Sequence, residues 1–211
     1  MSKKIIKIYK LYVLEQHIIY VIIFAYMFIN MNTTYFSKKT LNKRSAKMNY
    51  SEKKLHRCCF TGHRPYKLNC TEQEAKYLLE RAIDEAIKNG YVTFITGMAL
   101  GVDIWAAEII IEKKKHSDAI RLICAVPHPG FERNRSEYEV KRYKNIIHNA
   151  DYVKIVNDGY FSGCYQVRNE YMVDRSSLVI AMWNGTASGT KNTIDYAERK
   201  GVKVVNVLGR N

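Results

Sequence analysis

The sequence predicts an α/β fold in which a doubly wound, mostly parallel sheet of about six strands carries helices on both faces. Three observations predict it. Six short apolar runs alternate with helical stretches between Arg57 and Val207, the rhythm that right-handed crossovers impose on a parallel sheet. Glycine and proline concentrate between these stretches, where they stop regular structure. Hydrophobic residues make up 47% of the 211 positions, enough to fill a core on both sides of a sheet.

The elements follow in order. Residues 57–61 are an apolar strand ended by Gly62-His63-Arg64-Pro65. Thr71 and Glu74 form a capping box. Ala75, Leu78, Leu79, Ala82, Ile83, Ala86 and Ile87 then keep helical spacing until Gly90. Residues 91–95 are the second strand, 96–101 a glycine-bearing turn and 102–115 the second helix. A third strand over 121–126 stops at Pro127-His128-Pro129-Gly130, and Ser136 with Glu139 caps a helix that runs to Asn149. Strands over 152–156, 178–183 and 202–207 alternate with helices over 165–176 and 188–200. In such a Rossmann-like sheet, ligands bind beyond the carboxyl ends of the strands where strand order reverses, so the loops after the strands are the places to examine.

The formal charge of +14 divides unevenly. Residues 1–47 hold nine Lys/Arg against one acid, Glu15, and the remainder is +6. This arm joins an apolar run, Ile18 to Ile29, to the basic cluster Lys38, Lys39, Lys43, Arg44 and Lys47. The run falls short of the ~20 apolar residues that span a bilayer, and no small-residue cleavage site follows it. A membrane anchor, a flexible arm and upstream translation before a start at Met48 all remain open. The expected organisation is therefore an arm over 1–47 and one nucleotide-binding domain over 48–211. The cysteines Cys58, Cys59, Cys70, Cys124 and Cys164 have no metal-ligand or CxxC spacing, which suits reduced thiols in a cytoplasmic protein and predicts no metal site.

Three strand-end loops and one helix carry the candidate chemistry. Gly62-His63-Arg64 combines a residue without a side chain with donors suited to phosphate or carboxylate. Thr96-Gly97-Met98-Ala99-Leu100-Gly101-Val102-Asp103 opens a helix whose N-terminal amides and macrodipole favour an anion. Asp103 there suits either the dipole or a ribose hydroxyl. Gly185-Thr186-Ala187-Ser188-Gly189-Thr190 opens a second helix in the same way. Arg168 and Asn169 sit on one turn of the helix over 165–176, where Arg168 reads from the residues alone as either solvated or facing a crevice.

In this order the four features resemble the SMF/DprA and LOG (SLOG) superfamily, and within it the YpsA-like branch typified by Gly62-His63-Arg64-Pro65, Gly97 to Asp103 and Arg168-Asn169-x-x-Met172. The resemblance covers residues 57–207. It implies a site made of Gly62, His63, Arg64, Gly97, Gly101, Asp103, Arg168, Asn169, Gly185, Ser188, Gly189 and Thr190. The phosphoribohydrolases of the superfamily follow their Gly-Thr with x-Glu-Glu. This sequence has Lys191, Asn192 and Thr193, none of which replaces a carboxylate as proton donor.

The expected function is therefore binding or sensing of a nucleotide-derived phosphate ligand such as ADP-ribose or AMP. The alternatives are an N-glycosidase acting on nucleoside monophosphates, with Arg168, Glu170 and Asp103 as candidate catalytic residues, and DprA-like binding of single-stranded DNA. Membrane contact is expected only through residues 1–47, and a homo-oligomer is left open.

Overall fold

Residues 49–209 are described in this computed structural model; the arm expected over 1–47 lies outside them. Helix α1 (Tyr50–Leu55) leads into β1 (Arg57–Gly62). The chain then passes through α2 (Glu72–Lys88), β2 (Thr93–Thr96), α3 (Val102–Lys114), β3 (Arg121–Val126), α4 (Glu137–Asn149), β4 (Tyr152–Ile155), α5 (Cys164–Asp174), β5 (Leu178–Met182), α6 (Gly189–Arg199) and β6 (Lys203–Asn206). A 3₁₀ turn over Pro65–Lys67 follows β1. All the strand pairings are parallel, and the order is β4-β3-β2-β1-β5-β6. The sheet is the α/β architecture that the sequence predicts.

Local chemistry sets the helix starts. Thr71 Oγ1 accepts the Glu74 N–H while Glu74 Oε2 accepts the Thr71 N–H, and Ser136 with Glu139 repeats the arrangement at α4. Asn49 and Glu52 do the same at α1, a helix that the sequence reading did not foresee. The second strand begins two residues later than expected. The Tyr91 and Val92 amides donate to the Ala86 and His56 carbonyls instead of joining a ladder.

Side-chain alternation divides the core between the two faces. Phe60, Phe94, Leu122, Ile180 and Met182 pack with Leu79, Ile83, Ile110 and Ile146 on one side. Cys59, Ile95, Ala125 and Val179 pack with Met172, Val173 and Ala197 on the other. Strands β1 to β4 step outward in one direction, so right-handed crossovers keep α2, α3 and α4 together. The chain then returns to lay β5 against the opposite side of β1, which moves α5 and α6 to the other face. Strand order thus reverses between β1 and β5. Among the described residues no helix is long and apolar enough to cross a membrane.

Every described element falls within one unit, Met48–Asn211. We therefore expect the fragment 48–211 to unfold in a single cooperative thermal transition. Its midpoint should lie within about 4 °C of the full chain's, the shift that roughly 1 kcal/mol produces at this size. Scanning calorimetry on both proteins checks this, and aggregation of the fragment alone would place the boundary elsewhere.

Candidate functional site

A crevice of about 240 Å³ opens where the strand order reverses. The loop after β1 supplies Gly62, His63, Arg64, Tyr66 and Lys67, and the N-terminal part of α3 with its preceding turn supplies Ala99 and Asp103. Helix α5 supplies Tyr165, Arg168 and Asn169, and the start of α6 supplies Ser188, Gly189 and Thr190. Of the residues expected from sequence, Gly97, Gly101 and Gly185 do not line it. Phe60, Thr61, Tyr66, Lys67, Ala99 and Tyr165 also line it. Tyr165 was within reach of a periodicity argument, because it precedes Arg168 by one helical turn.

The glycines after β1 and β2 are occupied by the protein itself. A Cβ on Gly62 would lie 2.3 Å from Val102 Cγ2, and one on Gly101, whose φ is +89°, would lie 2.8 Å from Pro65 Cδ. At Gly97 the nearest atoms would be Arg168 Nη1 at 2.4 Å and Asp103 Oδ2 at 2.8 Å. Two amides of the same turn are already bonded: Met98 N–H donates to Thr96 Oγ1 at 3.3 Å and Ala99 N–H to Asp103 Oδ2 at 3.1 Å. Gly97 thus makes room for Arg168, and Gly101 for Pro65. Met98 holds a left-handed φ of 62°, and its carbonyl accepts from Arg135 Nη2 at 2.6 Å.

Arg168 is 4% exposed. Its Nε donates to Asn169 Oδ1 at 2.9 Å, Asn169 Nδ2 donates to Thr193 Oγ1 at 2.9 Å, and Thr193 Oγ1 donates to the Gly189 carbonyl at 2.8 Å. This relay ties α5 to the first turn of α6. Arg168 Nη1 is buried without a hydrogen-bond partner. Burial draws the guanidinium below its ordinary pKa, the Asp103 charge opposes that shift, and Arg64 adds to it. An arginine remains cationic at neutral pH all the same. Burial likewise pushes the Asp103 carboxyl up, against the pull of Arg168 and the Ala99 amide. Arg64, Lys67 and Arg168 face the crevice with Asp103 as the single lining carboxylate, so the balance favours an anion.

His63 is 2% exposed. Burial lowers its pKa, an Asn184 hydrogen bond opposes this and Lys67 adds to it, so its ring is neutral at pH 7. Asn184 Nδ2 donates to the Lys67 carbonyl at 2.9 Å and links the loops after β1 and β5. Ser188 caps α6 by accepting the Lys191 N–H. Space is open at Gly189 and at Gly185, and the amides of a helix's first turn have no intrahelical acceptor. Glu170, a candidate acid, accepts from Gln166 Nε2 at 2.9 Å and does not line the crevice. Of Asn192 and Thr193, which stand where the resemblance puts the hydrolases' glutamates, Thr193 belongs to the relay.

Residues 58–204 match the model of the YspA SLOG family. Over 147 residues the chain is 35% identical to the uncharacterized SPbeta prophage-derived protein YoqJ of Bacillus subtilis (strain 168), a match that covers 62% of this chain and 84% of that protein. Over 132 residues it is 23% identical to the UPF0398 protein SaurJH9_1506 of Staphylococcus aureus (strain JH9), covering 59% and 71%. The fold is similar to the X-ray structure of DNA processing protein A from Streptococcus pneumoniae, with a TM-score of 0.53 and 18% identity over 72% of this chain and 50% of that chain.

The contrast between two glycines tests this geometry. Gly97→Ala forces Arg168 off its seat, and we expect a loss of about 1–3 kcal/mol in a urea titration of the full chain, the usual result of overfilling a packed site. Gly189→Ala points into open space and should stay within about 0.5 kcal/mol of the parent. Equal losses at the two positions would show that Arg168 does not depend on the missing side chain.

Proposed function

The chain belongs to the YspA SLOG family, and we propose that its crevice binds a nucleotide-derived phosphate ligand such as AMP or ADP-ribose. Membership in the family supports a nucleotide- or nucleic-acid-binding role. The observation that carries the finer reading is Arg168, a buried cation whose Nη1 lacks a partner in a crevice with three cationic side chains and one carboxylate. A buried donor left unsatisfied costs about 1–3 kcal/mol, which an anionic oxygen recovers on binding.

In this reading Arg168 and Arg64 neutralise the phosphate, and the first-turn amides of α6 at Gly189 and Thr190 add the helix dipole. Asp103 Oδ2 accepts from Ala99 N–H, and an ionised carboxylate keeps acceptor capacity for ribose hydroxyls. Binding without turnover is favoured over glycosidic cleavage because of what surrounds the ligand. Cleavage needs a carboxylic acid beside the leaving group. Glu170 is engaged with Gln166, and Asp103 is pinned by the Ala99 amide and paired electrostatically with Arg168.

The test is titration calorimetry of AMP and ADP-ribose against the wild type and Arg168→Lys. An ammonium keeps the charge but not the planar fork. Loss of a charge-assisted bond worth roughly 1.5–3 kcal/mol should weaken binding about tenfold to a hundredfold. Unchanged affinity would remove the phosphate assignment. Adenine released from AMP at about 1 per second or faster would replace binding by hydrolysis. A single-stranded oligonucleotide that AMP does not displace would move the site to nucleic acid.

A further inference from the structure

Beside the crevice lies a group of rings that the phosphate reading does not use. Tyr165 belongs to the crevice wall and also to a cluster built from the loops after β3 and β4. Its ring centroid is 5.7 Å from Phe131, 6.1 Å from Tyr160 and 6.1 Å from His128. His128 in turn meets Phe131 and Tyr160 edge-on at 5.6 and 5.5 Å. A cluster made for the core would be covered, yet Tyr160 is 69% exposed and Tyr165 42%. It would also have its polar atoms bonded, yet His128 Nε2 is buried without a partner.

The crevice is small. At about 240 Å³ it falls below the roughly 300–1,000 Å³ of pockets that enclose a whole drug-sized ligand. A phosphoribosyl group fills it, and whatever else the ligand carries must lie outside. Tyr165 and Arg168 are three residues apart on α5, so their side chains are neighbours on one helix face, about 5–6 Å apart at Cβ. A group stacked on Tyr165 is therefore within one ribose of a phosphate held by Arg168. Arg135 joins the cluster to the turn after β2: its guanidinium lies 4.7 Å from the Phe131 ring centroid while its Nη2 holds the Met98 carbonyl.

We propose that the Tyr165 ring, fixed from behind by Phe131, Tyr160 and His128, is the stacking surface for the nucleobase of the bound nucleotide. The inference rests on the phosphate reading above and extends it from a phosphate site to a nucleotide site with a preference for a flat heterocycle. Rings offset-stack on rings with little regard to base identity, so the surface selects nucleotides over plain sugar phosphates before it selects among bases.

The experiment is calorimetry on the full chain with AMP and with ribose 5-phosphate as probes. Stacking of one base predicts that the wild type prefers AMP by about tenfold to a hundredfold, and that Tyr165→Leu reduces the preference to about threefold or less while Tyr165→Phe keeps it. The wild type also allows a check that needs no variant. The adenine H2 and H8 resonances of AMP should move upfield on binding through the ring current of Tyr165. An AMP to ribose 5-phosphate ratio unchanged in Tyr165→Leu, or adenine resonances that do not move in the wild type, would overturn the stacking surface and leave the phosphate site standing. Failure of the wild type to bind either probe would overturn both.

Discussion

A guanidinium that is almost wholly removed from water organises the carboxyl end of this sheet. Arg168 is seated over a backbone position that carries no side chain, beside a carboxylate that is itself buried. Placing such a cation in a low-dielectric environment is unfavourable unless charge and hydrogen bonds compensate. Each neighbouring feature supplies part of that compensation. Gly97 gives the room, Asp103 the opposite charge, and Asn169, itself held by Thr193, accepts from Nε. Arg168 Nη1 is buried without a hydrogen-bond partner.

That arrangement requires elements distant in sequence to meet within a few ångströms, and the crossover handedness brings them together. Because β5 returns to the free side of β1, the starts of α3, α5 and α6 converge on the end of β1. Two of these helices begin without a side-chain cap: α3 starts after Gly101 and α5 after Gly163, both at positive φ. By contrast α2 and α4, which take no part in lining the crevice, carry full capping boxes. Sharp glycine entries let a helix start immediately against its neighbours, as Gly101 does against Pro65.

The same economy of charge bears on chemistry. The crevice sets Arg64, Lys67 and Arg168 against a single constrained carboxylate, an excess of positive charge. His63, the one histidine in the wall, is kept neutral by burial. The thiols nearby are no better placed as nucleophiles, since burial lifts Cys59 to about 12 and inert thiols are what burial in apolar surroundings produces. The left-handed Met98 in the turn after β2 is held by Arg135.

Much of the scaffold was legible residue by residue. Thr71 with Glu74, and Ser136 with Glu139, announce helices because a cap and its partner lie three residues apart. The strands announce themselves as apolar runs because both faces of a parallel sheet are covered. The loops around the crevice were legible through motif spacing and resemblance, and Arg168 and Asp103, both candidates from the sequence, line it. What each does was not legible. Gly97 read as room for a ligand, and it is room for Arg168. Glu170 read as a substitute acid, and it is turned to Gln166. Tyr160 and Tyr165 stood only among tyrosines available to a single-stranded DNA groove, and nothing joined them to His128. Capping, periodicity and turn chemistry act over a few residues, so the sequence by itself determined the elements and their order. The contact of residue 97 with residue 168, and of residue 128 with residue 165, depends on which strands lie side by side, and only the tertiary structure decided that.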